Sequence, residues 1–176
     1  MAKKLKLTLS HSSIDELKKE LIQYKNDMQK KCDVFLLRLC EAGYTAARGV
    51  MAEHIFSGET ISGLSVEDLG NNRFALCARS KAILFFEFGA GVKYSSQTHP
   101  KSEENGMGAG TYPGAGHWND PKGWWYPTDD ARLIRKYDAS GQGWAHSYGN
   151  PPYMPMYKAS REMISSIEKI AKEVFG

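Results

Sequence analysis

The feature that most constrains this fold is the run over residues 13–54, where apolar side chains recur at three- and four-residue steps and no proline or glycine intervenes before Gly43. Ile14, Leu17, Leu21, Tyr24, Met28, Phe35, Leu36 and Leu39 share one side of a 3.6-residue period, which predicts an amphipathic helix. Ser13 followed by Glu16 has the spacing of a capping box, placing the helix start there. A helix over 13–54 far exceeds the mean of roughly 11–12 residues. It must therefore overhang its own core or break near Lys30-Lys31. Asp15 with Lys19 and Asp27 with Lys31 suit a solvated outer face at i,i+4, while Glu16 with Glu20 opposes it.

The remaining elements follow from local pattern. Leu5, Leu7 and Leu9 alternate with Lys4, Lys6 and Thr8, the period of a half-buried strand over 4–9. Leu64, Val66 and Leu69, the turn signal Gly70-Asn71-Asn72 and the run Phe74 to Arg79 predict an antiparallel hairpin over 64–79. The run from Ala82 to Phe88 is apolar almost throughout, so a buried strand and a buried helical turn both fit it. Pro155 suits the first position of a closing helix over 155–175, whose stripe includes Met156, Ala159, Met163, Ile167, Ile170 and Val174. With 41% hydrophobic residues in 176, one sizeable core is affordable, and a single domain over 1–176 is expected.

Residues 89–150 differ in composition. They hold eleven of the seventeen glycines and all four tryptophans. Such a stretch reads as a long loop insertion, since structureless loops of this length are uncommon in compact domains and usually functional or disordered. Tryptophans argue against plain disorder. A small hairpin near 124–146 is expected, with Ser95 to Gly116 as the mobile part. Trp118, Trp124, Trp125 and Trp144 carry too much apolar area to be exposed without purpose, and are the candidate interface with other subunits.

Little in the sequence points to catalysis. Glu87 sits between Phe86 and Phe88, where a charge needs a partner. Without a companion acid, nucleophile or metal ligand nearby, it reads as structural. His99, His117 and Asp120 fall short of a metal-ligand set and read as surface polar residues. Gly106-Met107-Gly108-Ala109-Gly110 lacks the last glycine and the strand–helix setting of a dinucleotide loop. Ser166-Ile167-Glu168-Lys169 lies in the closing helix without the companion motifs of Ser-x-x-Lys enzymes. Cys32, Cys40 and Cys77 form no CxxC pair and read as reduced, mostly buried thiols. No catalytic residue, metal or cofactor is expected. A formal charge of +3 does not make nucleic acid the default partner, and Lys3, Lys4 and Lys6 read as solvated edge-strand lysines. No apolar run approaches the roughly 20 residues of a membrane span, so synthesis and retention in the cytoplasm, with no membrane partner, are expected.

Two blocks carry a resemblance: Phe85-Phe86-Glu87-Phe88-Gly89-Ala90-Gly91, and Asn150-Pro151-Pro152-Tyr153-Met154-Pro155-Met156. An aromatic-Glu-Phe-Gly block, a variable loop and a Pro-rich block opening the last helix resemble the tail-completion or head-tail joining family of long-tailed bacteriophages, the gene-ten-like minor structural proteins. The residues concerned are Glu87, Phe88, Gly89, Gly91, Pro151, Pro152, Pro155 and Met156. The resemblance implies an α+β fold, with an antiparallel sheet packed on the N-terminal and C-terminal helices. It also implies a virion subunit forming a homo-oligomeric ring at the neck or tail end, with other phage neck or tail proteins as partners. Ala90 stands where many relatives carry Thr, and the insertion of roughly 60 residues is longer than in compact members. Two other classes stay open. One is a small metal-dependent or cell-wall hydrolase using Glu87, His99, His117 and Asp120, and the other is a nucleic-acid-binding module.

Overall fold

The computed structural model describes residues 11–54, 62–80, 82–94, 96–107 and 120–176. Helix α1 (His11–His54) runs unbroken for 44 residues, through Lys30-Lys31. His11 and Ser12 are already helical, so Ser13 and Glu16 lie inside the helix rather than at its cap. The strand expected over 4–9 lies outside the described residues. Strands β1 (Leu64–Asp68) and β2 (Phe74–Ala78) pair as a two-stranded sheet. Their turn places Gly70, Asn71 and Asn72 at φ of 70°, 53° and 54°. Asparagine and glycine tolerate that left-handed region, which is why this triplet turns the chain.

The apolar run left open by hydropathy is a helix, α2 (Ile83–Phe88). A 3-10 turn (Val92–Tyr94) and a short helix, α3 (Ser102–Asn105), follow. The stretch read as a long loop then supplies β3 (Trp124–Pro127), β4 (Lys136–Tyr137) and β5 (Gly143–Ser147), an antiparallel sheet in the order β3-β5-β4. Helix α4 (Pro155–Phe175) closes the chain. The fold is α+β, with a long N-terminal helix, antiparallel sheets and a C-terminal helix packed on the first.

The chain falls into two compact units. The first comprises Met1–Ala47, Leu64–Cys77 and Lys158–Gly176, and the second Arg48–Gly63 and Ala78–Tyr157. Within the first unit α4 runs antiparallel to α1. The Phe35 and Phe175 rings lie 5.6 Å apart, and Arg38 donates to Glu173 at 2.6 Å. That ion pair is substantially exposed and adds little. Burial of Leu39, Cys40, Ala47, Leu64, Ala159 and Ile170 supplies the stabilisation. All three cysteines are free, but only Cys40 is buried; burial, and then the neighbouring Cys77, push its thiol up, so it stays protonated. At the hairpin turn, the Asn72 amide donates to the Gln29 carbonyl (3.2 Å) and to Asp33 Oδ1 (2.8 Å). N-terminal to that contact, Ile14, Leu21, Ile22 and Tyr24 of α1 are each about half exposed.

Two helical glycines separate packing from propensity. A Cβ on Gly43 would stand 2.8 Å from Met163, whereas one on Gly49 would meet nothing within 4 Å. Gly43→Val should therefore cost about 1–3 kcal/mol through overpacking, and Gly49→Ala should stabilise by about 0.5–1 kcal/mol through helix propensity. Urea midpoints that move in the same direction for both substitutions would contradict this packing.

Candidate functional site

The two sequence blocks meet in the second unit. Ala90 and Asn150 form an isolated antiparallel bridge, each amide donating to the other's carbonyl at 2.9 and 3.0 Å. Tyr153 N–H donates to the Phe86 carbonyl (2.9 Å), and the Asn150 side chain donates to the Phe85 carbonyl (2.9 Å). The bridge requires close backbone approach. Gly89 and Gly91 have φ of 80° and 79°, and a Cβ on Gly91 would lie 2.5 Å from the Tyr148 carbonyl oxygen. No other residue fits that position without displacing backbone. Phe88 and Ala90 are buried here, with Phe85, Met107 and Trp124 packed against them.

Glu87 links these blocks to α4. The helix begins at Pro155, which has no N–H to satisfy, so Met156 and Tyr157 present its first free amides. Met154, just before it, lies at φ 60° and has no side-chain oxygen to cap them. Glu87 substitutes for the missing cap: Met156 N–H donates to Oε2 and Tyr157 N–H to Oε1, both at 2.8 Å. A carboxylate at a helix N-terminus also faces the positive end of the helix dipole. Glu87 is 7% exposed, so these bonds replace the water its oxygens have lost.

A third partner comes from the insertion. His99 Nε2 lies 3.0 Å from Glu87 Oε1, and His99 Nδ1 accepts the Lys101 N–H at 2.9 Å. With Nδ1 occupied as acceptor, the proton of a neutral imidazole sits on Nε2 and is donated to the carboxylate. The imidazole packs against Phe88 (4.5 Å) and edge-on to Tyr157 (5.1 Å).

His99 corrects the sequence expectation. It is not a surface residue: it is 4% exposed, and its carbonyl accepts from the Ser102 N–H as its ring contacts Glu87, Phe88 and Tyr157. No local pattern marks it. The signal was indirect: a Glu between phenylalanines needs donors, and a helix opening Met-Pro-Met has no cap of its own. Asp120 lies apart from this pair, its Oδ1 accepting the Lys122 N–H. His117 and Trp118 fall outside the described residues. Among the described residues, no three His, Cys, Asp or Glu side chains gather as a metal site.

Among the described residues, Trp124 lies on the opposite face of the sheet from Trp125 and Trp144. Trp124 faces inward with Tyr126 and the buried Ala145, over an apolar cleft that also includes Phe85, Phe86 and Ala90. The opposite face of the sheet carries a cation–aromatic row. Lys136 Nζ stands 3.9 Å from the Trp125 ring centroid, Trp125 meets His146 at 4.7 Å, His146 meets Tyr148 at 4.7 Å, and Lys93 lies 5.4 Å from Tyr148. Trp125 and Tyr148 remain 42% and 52% exposed. Trp144, paired with Lys136 across the ladder, donates its indole N–H to Asp138 Oδ2 at 2.9 Å. Asp138 Oδ1 accepts from Ser140 and Gln142, ordering the β4–β5 turn.

Comparison with known proteins adds no identity: no protein-family model, curated protein or solved structure matches the chain.

Glu87→Gln should cost about 1–3 kcal/mol, because one amide of the helix start then faces an NH2 group instead of an acceptor. His99→Phe, which retains the ring packing, should cost less than His99→Ala. Denaturant unfolding of the three variants checks this, and a neutral Glu87→Gln would remove the capping role. A second expectation concerns pH. The bonds from Ser140, and next from Trp144, hold the Asp138 carboxyl at about 2, below its usual 3.8. A lowered folded pKa stabilises above the unfolded value and loses that contribution as pH falls through about 2. The Trp144 indole N–H resonance should thus titrate with a midpoint near 2, and a midpoint near 4 would show that the bond does not form.

Proposed function

We propose that this chain is a non-enzymatic virion structural subunit that closes into an oligomeric ring at the head-tail neck or tail end of a long-tailed phage, joining other neck or tail proteins. One observation carries the reading. The residues that resemble the tail-completion family are the ones that depend on each other in space: Gly89 and Gly91 permit the Ala90–Asn150 bridge, and Glu87 caps the helix that Pro155 and Met156 begin. Motif residues that depend on each other in space support the resemblance better than scattered identities would.

The use of Glu87 supports the non-enzymatic side of the proposal. Two amides and an imidazole occupy its oxygens, which is the task of a cap rather than of a general acid or base in an open cleft. A ring subunit also needs unlike surfaces that meet head to tail and close by rotation. The row Lys136, Trp125, His146 and Tyr148 offers one, because aromatics backed by cations concentrate binding energy at interfaces.

Disruption of this gene in its phage should yield filled heads and finished tails that remain separate in electron micrographs, with joining restored by supplying the chain in trans. Mass spectrometry of complemented particles should detect the chain as a fixed multiple per virion. Normal joined particles from the disrupted phage would overturn the proposal.

A further inference from the structure

The N-terminal part of α1 carries an apolar pattern that is half exposed over much of its length. Taking Ile14 as position a of a heptad, Ile14, Leu21 and Met28 fall at a, and Leu17 and Tyr24 at d, an unbroken 3-4-3-4 spacing over about 21 Å of helix. Ile14, Leu21 and Tyr24 are 47%, 49% and 57% exposed. Asn72 of the hairpin turn hydrogen-bonds α1 at Gln29 and Asp33, C-terminal to the stripe. Leu39, buried further along the same helix, lies on the side that this stripe occupies.

The flanking charges identify its occupant. On one flank, position e holds Lys18 and Lys25; on the other, position g holds Glu20 and Asp27. Two parallel helices place g of one beside e of the next heptad in the other, so Glu20 meets Lys25 of the second copy, twice per pair. Antiparallel helices place g beside g and e beside e, which sets acid against acid and lysine against lysine. We propose that the stripe from Ile14 to Met28 docks on the same stripe of a second copy of this chain, with the two helices parallel. A seam of two heptads is short, and exposed charge pairs contribute little affinity, so its charges select direction. A parallel pairing of the same stripe has two-fold symmetry, so the seam makes a dimer and is distinct from the head-to-tail contact that closes a ring. The inference therefore goes beyond the ring reading, and the pairing is measurable in the isolated chain.

The test is sedimentation equilibrium of the full chain over a wide concentration range. The mass should rise above 19.7 kDa. Leu21→Glu should weaken association at least tenfold with helix content unchanged by circular dichroism. Glu20→Lys and Lys25→Glu should each weaken it several-fold, and the double reversal should restore it. A chain that stays monomeric throughout overturns the proposal, as does an assembly indifferent to Leu21→Glu. Single reversals that strengthen association would establish the antiparallel arrangement and overturn it equally. Association that appears only after removal of residues 1–10 would make the chain's own N-terminal segment the occupant, again overturning it. An intact assembly by Leu21→Glu leaves the ring reading standing, whereas joined heads and tails without the chain remove the ring reading and leave the seam to be judged by mass alone.

Discussion

The second unit depends on one carboxylate. Glu87 lies on a helix of only six residues, too short to hold itself in water, and it terminates the start of α4, which has no local cap. Each deficiency is offset by the other. The Ala90–Asn150 bridge and the Tyr153 amide on the Phe86 carbonyl fix α2 beside the Pro-rich segment, and that places Glu87 where Met156 and Tyr157 need an acceptor. The fully buried Pro155 then gives the helix its first φ at no hydrogen-bonding cost.

The same carboxylate explains why the long excursion between the blocks is more than decoration. Closing a loop of some sixty residues costs entropy that grows only slowly with length, so the bridge can tolerate such an insertion. The excursion also returns a buried imidazole to Glu87. A buried charge with two donors still has lone-pair capacity to satisfy, and His99 supplies the third bond while its ring extends the apolar packing around Phe88 and Tyr157.

What the sequence revealed, and what it hid, follows from the range of the forces involved. α1, the hairpin and α4 each repeat one pattern over several periods or carry a strong turn signal, so local chemistry marked them. The run from Ile83 to Phe88 is apolar at every position but Glu87, although only Glu87 and Phe88 are buried and Leu84 is exposed, so hydropathy shows no period there, and tertiary hydrogen bonds to the Phe86 and Phe85 carbonyls hold the helix. In the insertion the strands are two to five residues long, so the alternation of Trp124 and Tyr126 inward with Trp125 outward lasts barely two periods. Glycine density there signalled a loop, although Gly141 at φ 85° serves the β4–β5 turn and Gly143 lies buried against Ile134. Glu87 was visible as a charge needing a partner. The partner itself was not, because His99 meets it through a fold of the insertion that no spacing encodes.

Order already present in the isolated chain changes how its surfaces can work in an assembly. Glycines beside tryptophans suggest an aromatic loop that is ordered only by a neighbour, at an entropic cost on binding. For Trp125 that cost has already been met. Lys136 covers one part of its ring and His146 meets it edge-on, so the side chain is held before any partner arrives. Trp144 is likewise tied through its indole to Asp138. A pre-ordered aromatic face loses little rotamer freedom on contact, and shape rather than disorder then governs what it accepts. The apolar stripe of α1 is of a different kind, since its regularity comes from the helix and its selectivity from lysines and acids on opposite flanks. Subunits that meet through a rigid patch and a charge-directed seam can acquire orientation without the folding transition that a disordered loop would require.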